Sequence, residues 1–177
     1  MKFKDIKQFP QIYYNVNLSW SSLDDWLARQ MNIGEYKSQR EGLSSLNINP
    51  DFQRGHVWTK DQQIAYVEFM LCGGTSGRNI YFNHPGWMSS FKGEFVLVDG
   101  LQRITAVQAF MHNKIPAFGS LIEDYEDKMP YNVDFIVNVA KLQTRKDVLN
   151  WYILMNSGGT PHTQEEIDRV KTLKDQL

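Results

Sequence analysis

From Ile12 to Leu18 apolar and polar positions alternate, with Ile12, Tyr14, Val16 and Leu18 against Tyr13, Asn15 and Asn17. A two-residue period is that of a strand with one buried face. The period then changes. Ser21 and Ser22 precede Leu23, Trp26 and Leu27, a serine N-cap before helical apolar spacing, which predicts a short helix to about Met31. Asn32 to Leu46 has no period and reads as a loop. Thr59 and Gln62 stand in capping-box order before Ile64, Val67, Met70 and Leu71, predicting a second helix that stops at Gly73, Gly74 and Gly77. Residues 79–82 and 94–98 read as strands on either side of a turn-rich segment, and Ile104, Val107, Phe110 and Met111 form a third helical stripe. Residues 131–140 alternate again, with Val133, Phe135, Val137 and Val139 on one face and Asp134 and Asn138 on the other. Thr144 with Asp147 opens a helix through Trp151 to Met155. Thr163 with Glu166 opens the last, whose place at the end of the sequence predicts loose docking.

Helices and strands in this irregular order, joined by both hairpin-length and crossover-length connections, predict an α+β fold: a small mixed β-sheet with packed helices. At 177 residues the length suits one domain spanning 1–177, against about 150 residues for a typical domain. Hydrophobic residues at 42% and charged residues at 22% exclude an intrinsically disordered chain. Nineteen Lys and Arg against twenty Asp and Glu leave a charge of −1, which excludes a polybasic protein whose affinity for nucleic acid comes from neutralising many phosphates. Cys72 is the single cysteine, so neither a disulfide framework nor a cysteine zinc site is expected, and a cytoplasmic protein is. The first ten residues lack the apolar run of a signal peptide, and no stretch approaches the ~20 apolar residues of a membrane span.

Three segments carry polar residues in places a purely structural design does not require. In FVLVDGLQRITA, residues 95–106, an apolar strand runs through Asp99 and Gly100 into a helix bearing Gln102 and Arg103. Gly100 permits a sharp turn, and the helix start offers free backbone N–H groups to an anion. Arg103 can add a fork of donors, and Asp99 can hold Mg²⁺ or orient a water. Alternatively Asp99 caps the helix and Arg103 pairs with it. In NPDFQRGHVW, residues 49–58, Phe52 and Val57 read as buried anchors, Gln53, Arg54 and His56 as donors and Trp58 as a stacking surface. In NSGGTP, residues 156–161, Gly158 and Gly159 allow an anion-binding nest of backbone N–H groups, or simply punctuate two helices; the lysine of a P-loop is absent. The acidic cluster Glu123, Asp124, Glu126 and Asp127 reads as a solvated loop, Cys72 as buried and the four histidines as dispersed.

Together, in this order, the three segments resemble the ParB/sulfiredoxin-like superfamily, and specifically the DGQQR-motif branch at the N-terminus of restriction proteins of the GmrSD and SspE type. The resemblance spans roughly residues 45–170, leaving 1–44 as an N-terminal strand, helix and loop; Leu101 stands where the family usually has Gln. It implies a domain that binds a nucleoside triphosphate with Mg²⁺ and uses or senses it to control an attack on DNA. Carried over by motif, Asp99, Gln102 and Arg103 are the expected catalytic residues and Asp99 the metal ligand. Gln53, Arg54, Gly100 and Arg103, with Asn156, Ser157, Gly158, Gly159 and Thr160 on the rim, are the expected nucleotide-binding residues. The HNH-type nuclease domain of larger relatives has no counterpart in these 177 residues. The function expected is therefore a nucleotide-binding ParB-like domain, a weak Mg²⁺-dependent NTPase or a sensor, in DNA restriction, anti-restriction or a related DNA transaction such as phage defence. Its partners would be the nucleotide, DNA and a separate nuclease or other effector. The alternatives are a non-enzymatic interaction or inhibitor module that keeps the fold, and a DNA-binding or nuclease protein.

Overall fold

The computed structural model describes residues 2–6, 8–36, 43–53, 55, 57–130, 132–156 and 164–176, with the backbone alone at Lys4 and at 164–167. The alternating segment is strand β1 (Ile12–Ser19), which passes through a single 3₁₀ turn, Trp20–Ser22, into helix α1 (Leu23–Gln30). Ser22 occupies the N-cap without a side-chain capping bond, since the 3₁₀ turn feeds straight into the helix. After strand β2 (Leu46–Asn47), helix α2 (Lys60–Leu71) starts at the expected capping box: Gln62 N–H donates to Thr59 Oγ1 at 3.3 Å and Thr59 N–H to Gln62 Oε1 at 2.9 Å. Strands β3 (Asn79–Asn83) and β4 (Phe95–Asp99) are followed by helix α3 (Leu101–Met111), strand β5 (Asp134–Ala140) and helices α4 (Arg145–Asn156) and α5 (Gln164–Asp175). Asp147 N–H donates to Thr144 Oγ1 at 3.2 Å, the expected start of α4, while Thr163 lies outside the described residues.

Among the described residues five strands form one sheet in the order β1-β5-β3-β4-β2. β1 and β5 pair antiparallel, β5 and β3 parallel, β3 and β4 antiparallel, and β4 and β2 parallel. The fold is α+β with a mixed sheet, as the irregular element order implies. β2 has two residues, too few to show any period.

Two apolar clusters cover the sheet. On one face α1, α2 and α3 bury Leu23, Leu27, Val67, Met70, Ile104 and Phe110 against Ile80, Phe82, Phe95 and Leu97. On the other, Val96, Val98 and Ala140 meet Phe52, Val148, Leu149, Trp151 and Val170. β4 alternates between them, so both its faces are buried, as its unbroken apolar run suggests. Helix α5 is docked rather than loose. Val170 is buried in the second cluster, and the Arg169 guanidinium donates to Gln53 O at 3.0 Å and Phe52 O at 3.4 Å.

Asp134 and Asn138 lie on the face of β5 opposite Val133, Phe135, Val137 and Val139, as the alternation implies, and that face is buried too, with β5 between β1 and β3. Their polarity is matched across the sheet. Asn138 Oδ1 accepts from Asn15 Nδ2 at 2.7 Å, and its Nδ2 donates to Asn79 Oδ1 and to Ile136 O, each at 3.0 Å. Asp134 accepts from Asn17 Nδ2 at 2.8 Å and forms an ion pair with Arg78. A buried amide with its partners present costs little, whereas a broken network exposes the full desolvation penalty. Asn138→Ala is therefore expected to lower unfolding free energy by about 1–3 kcal/mol in urea denaturation; an unchanged midpoint would show that these bonds add nothing to the sheet.

Candidate functional site

The site is built at the carboxyl end of β4. Four buried residues, Phe95 to Val98, bring the chain to Asp99, and α3 begins at Leu101 with only Gly100 between. Gly100 has φ +121°, and a Cβ there would lie 2.5 Å from Ile80 Cγ2. Strain and contact together reserve the position for glycine. The tight turn sets Asp99 and Arg103 four residues apart, and the two side chains form an ion pair. Their side chains are 35% and 20% exposed, so the pair sits at the surface with one partner mostly sunk. Arg103 Nε is buried and has no hydrogen-bond partner among the described residues. An orphaned guanidinium donor beside the amino end of a helix is a place where an additional oxygen lowers the energy.

Two tyrosines flank the pair. Tyr66 on α2 donates its hydroxyl to Gly77 O at 2.9 Å; burial pushes its phenol well above the ordinary value, and the positive charge of Arg103 works against that rise. Tyr81 on β3 is paired in register with Asp99 at an irregularity between Tyr81 and Phe82. Its phenol is also raised, first by burial and then by the Asp99 carboxylate, with Arg103 again opposing. Both remain neutral donors at neutral pH. Trp58, expected as a free stacking surface, is half-buried with its ring 5.3 Å from that of Tyr66.

The second motif is stitched to the first through two glutamines. Gln53 is buried, and its Nε2 donates to Val98 O at 3.0 Å and Leu97 O at 3.1 Å. Gln102 Oε1 accepts from Val57 N–H at 2.9 Å and Trp58 N–H at 3.1 Å, and its Nε2 donates to Gly55 O at 3.1 Å. Both carboxamides thus hold backbone next to the Asp99–Arg103 turn. Phe52 is the buried anchor expected, edge-on to Tyr152 with ring centres 5.1 Å apart, but Val57 is 50% exposed because its segment is held by backbone bonds to Gln102 rather than by burial. Arg54 and His56 lie outside the described residues.

The third motif is described only at its start. Asn156, the last residue of α4, folds its Nδ2 back onto Tyr152 O at 2.7 Å. Ser157, Gly158, Gly159 and Thr160 lie outside the described residues. The preceding Met155 shares a cavity with Tyr81, the β3 residue paired in register with Asp99.

Sequence reasoning missed Tyr66, Tyr81 and Arg169. Tyr81 left a faint signal, a polar-tipped residue at the position between the core residues Ile80 and Phe82; Arg169 left none, since its partners are main-chain carbonyls far away in the chain. Cys72, expected to be buried, is exposed, because it follows α2 just before Gly73 and Gly74. The acidic cluster is exposed and held in part by local bonds, such as Leu121 N–H to Asp124 Oδ2 at 3.0 Å. Among the described residues no group of three or more His, Cys, Asp or Glu could hold a metal ion by itself, and no helix is long and apolar enough to cross a membrane.

The family model described as the GmrSD restriction endonuclease, N-terminal domain, matches residues 33–135. The match takes in the NPDFQRGHVW and VDGLQR segments and ends before the NSGGTP segment. No curated protein and no solved structure matches the chain.

Replacing Gln102 by leucine keeps the bulk and removes the clamp. Amide hydrogen exchange at Val57 and Trp58 is expected to accelerate by about tenfold or more in Gln102→Leu, a loss of roughly 1.4 kcal/mol of local protection. Unchanged protection at those two amides would mean that the loop is held by something else.

Proposed function

The chain belongs to the GmrSD restriction endonuclease N-terminal domain family, which ties it to restriction systems, and from that premise we propose that it binds a nucleoside triphosphate with Mg²⁺ at the Asp99–Arg103 turn. The observation that carries the proposal is the half-used guanidinium. Arg103 has five N–H donors, engages Asp99 through Nη2, and keeps a buried Nε without a partner. A planar fork of that kind matches a phosphate better than an ammonium does. The first-turn N–H groups of α3 add positive partial charge at the same end.

The residues divide the work. Arg103 binds the polyphosphate and retains one edge on Asp99. Asp99, a third exposed, is the carboxylate available to a divalent ion, and one carboxylate with phosphate oxygens suits Mg²⁺, which seldom uses an all-protein cage. When bound, Mg²⁺ supplies charge neutralisation to the phosphates. Gln102 acts as a positioning residue: it fixes the backbone of Gly55, Val57 and Trp58 at the start of α3. Gln53 fixes the end of β4, and Arg169 fixes Gln53 in turn. Arg54, next in the chain, would join the nucleotide site from that anchored segment, with Asn156 to Thr160 on its rim.

Gln102 also favours a second reading, a nucleotide sensor with little or no turnover that signals to a separate nuclease or DNA-bound effector. Both ends of its carboxamide are engaged by backbone, so orienting an attacking water would require that loop to be released. The two readings share the binding step and separate on phosphate release, which turnover makes Mg²⁺-dependent and Asp99→Ala abolishes.

A thermal-shift titration with Mg²⁺ and each of the four common nucleoside triphosphates tests the binding step. At a hundred times the dissociation constant, binding to the folded state alone adds about 2.7 kcal/mol, or roughly 5–10 °C for a chain of this size. Arg103→Ala is expected to weaken binding roughly 10- to 100-fold with its circular dichroism unchanged. A folded Arg103→Ala variant that binds as tightly as the parent would exclude this site.

A further inference from the structure

On the second face of the sheet, beside Tyr81, a cavity of about 320 Å³ is lined by Phe9, Pro10, Ile12, Tyr81, Trp151 and Met155. Its walls come from three places in the chain: the segment entering β1, the middle of β3, and the end of α4. Three of the six lining residues are aromatic. Tyr81 and Trp151 meet edge to face with ring centres 6.0 Å apart and an interplanar angle of 84°, an arrangement that fixes the ring of Tyr81 against a buried indole. Phe9, by contrast, is 62% exposed at the rim.

Tyr81 links the cavity to the Asp99 turn. Tyr81 pairs in register with Asp99, and the charges of both Asp99 and Arg103 reach its hydroxyl. One tyrosine therefore has its ring in an apolar chamber and its polar end within the field of the ion pair. The volume is at the small end of ligand pockets, which run from about 300 to 1,000 Å³, too little for a whole triphosphate and suited to a flat heteroaromatic group. No charged side chain lines it, so it offers nothing to phosphates and much to a ring system.

We infer that this cavity holds the base of the nucleotide, stacked among Phe9, Tyr81 and Trp151, while its phosphates lie at Arg103. The inference rests on the reading of the Asp99–Arg103 turn as a triphosphate site and extends it: the ligand is a nucleotide recognised at both ends, and inorganic polyphosphate is the weaker ligand. Stacking is tolerant of base identity, and the lining provides no row of amides to read a base edge, so discrimination among the four bases is slight.

The test compares each nucleoside triphosphate with inorganic tripolyphosphate, all with Mg²⁺, on the parent chain and on Phe9→Ala, Trp151→Phe and Arg103→Ala, by calorimetry and tryptophan fluorescence. Phe9 is exposed, so its truncation spares the core. The expected result is that Phe9→Ala weakens nucleotide binding about five- to tenfold and leaves tripolyphosphate binding unchanged, whereas Arg103→Ala weakens both. Nucleotide, but not tripolyphosphate, quenches the fluorescence of the parent, and Trp151→Phe removes most of that quench. Equal affinity for nucleotide and tripolyphosphate, or equal losses in Phe9→Ala, overturns the base pocket and leaves the phosphate site standing. No binding of either ligand overturns both.

Discussion

The strand-to-helix turn at Gly100 governs the arrangement of the site. β4 is buried on both faces and cannot shift, and α3 must start one residue after it ends. With φ +121° and Ile80 pressed against the place of a Cβ, Gly100 fixes the angle at which helix leaves strand. Asp99 and Arg103 meet as a consequence, and Gln102, between Leu101 and Arg103, reaches the backbone of residues 55, 57 and 58. A buried apolar strand thus serves as the rigid mount for a small polar constellation, an arrangement in which positioning owes more to packing than to the polar contacts themselves.

Around that mount the polar residues form a support rather than a cluster of free groups. Gln53 and Gln102 have backbone partners, Arg169 ties α5 to the Phe52–Gln53 segment, and Tyr66 bonds Gly77. Across the sheet the register runs Asp99, Tyr81, Asn138, Asn15, a polar row over four strands. Its one buried member, Asn138, is held by hydrogen bonds to both neighbouring strands, which is how a small sheet carries an amide in its interior without losing stability.

Much of this was legible in the sequence. Thr59 and Gln62 announced α2, the Asp99–Gly100 step announced the turn, and Thr144 with Asp147 announced α4, because each rests on interactions within a few residues. What depends on distant partners was not legible. Alternation put Asp134 and Asn138 on the face opposite the apolar residues of β5, but it could not name the partners that hold them there, Asn15, Asn17, Arg78 and Asn79. The docking of α5 needs carbonyls more than a hundred positions away. Gln102 carried the right motif position but not its partner, since a carboxamide that clamps a loop and one that touches a ligand have the same letter.

The central claim is that the Arg103 guanidinium at this turn is where a phosphate binds. It is tested most directly by nuclear magnetic resonance of the ¹⁵N-labelled chain titrated with a nucleoside triphosphate and Mg²⁺. The account predicts saturable shifts at the Arg103 Nε–H, which gains an acceptor, and at the backbone amides of residues 99–103. Saturation of the titration at other residues while the Arg103 Nε–H and those five amides stay still would contradict it.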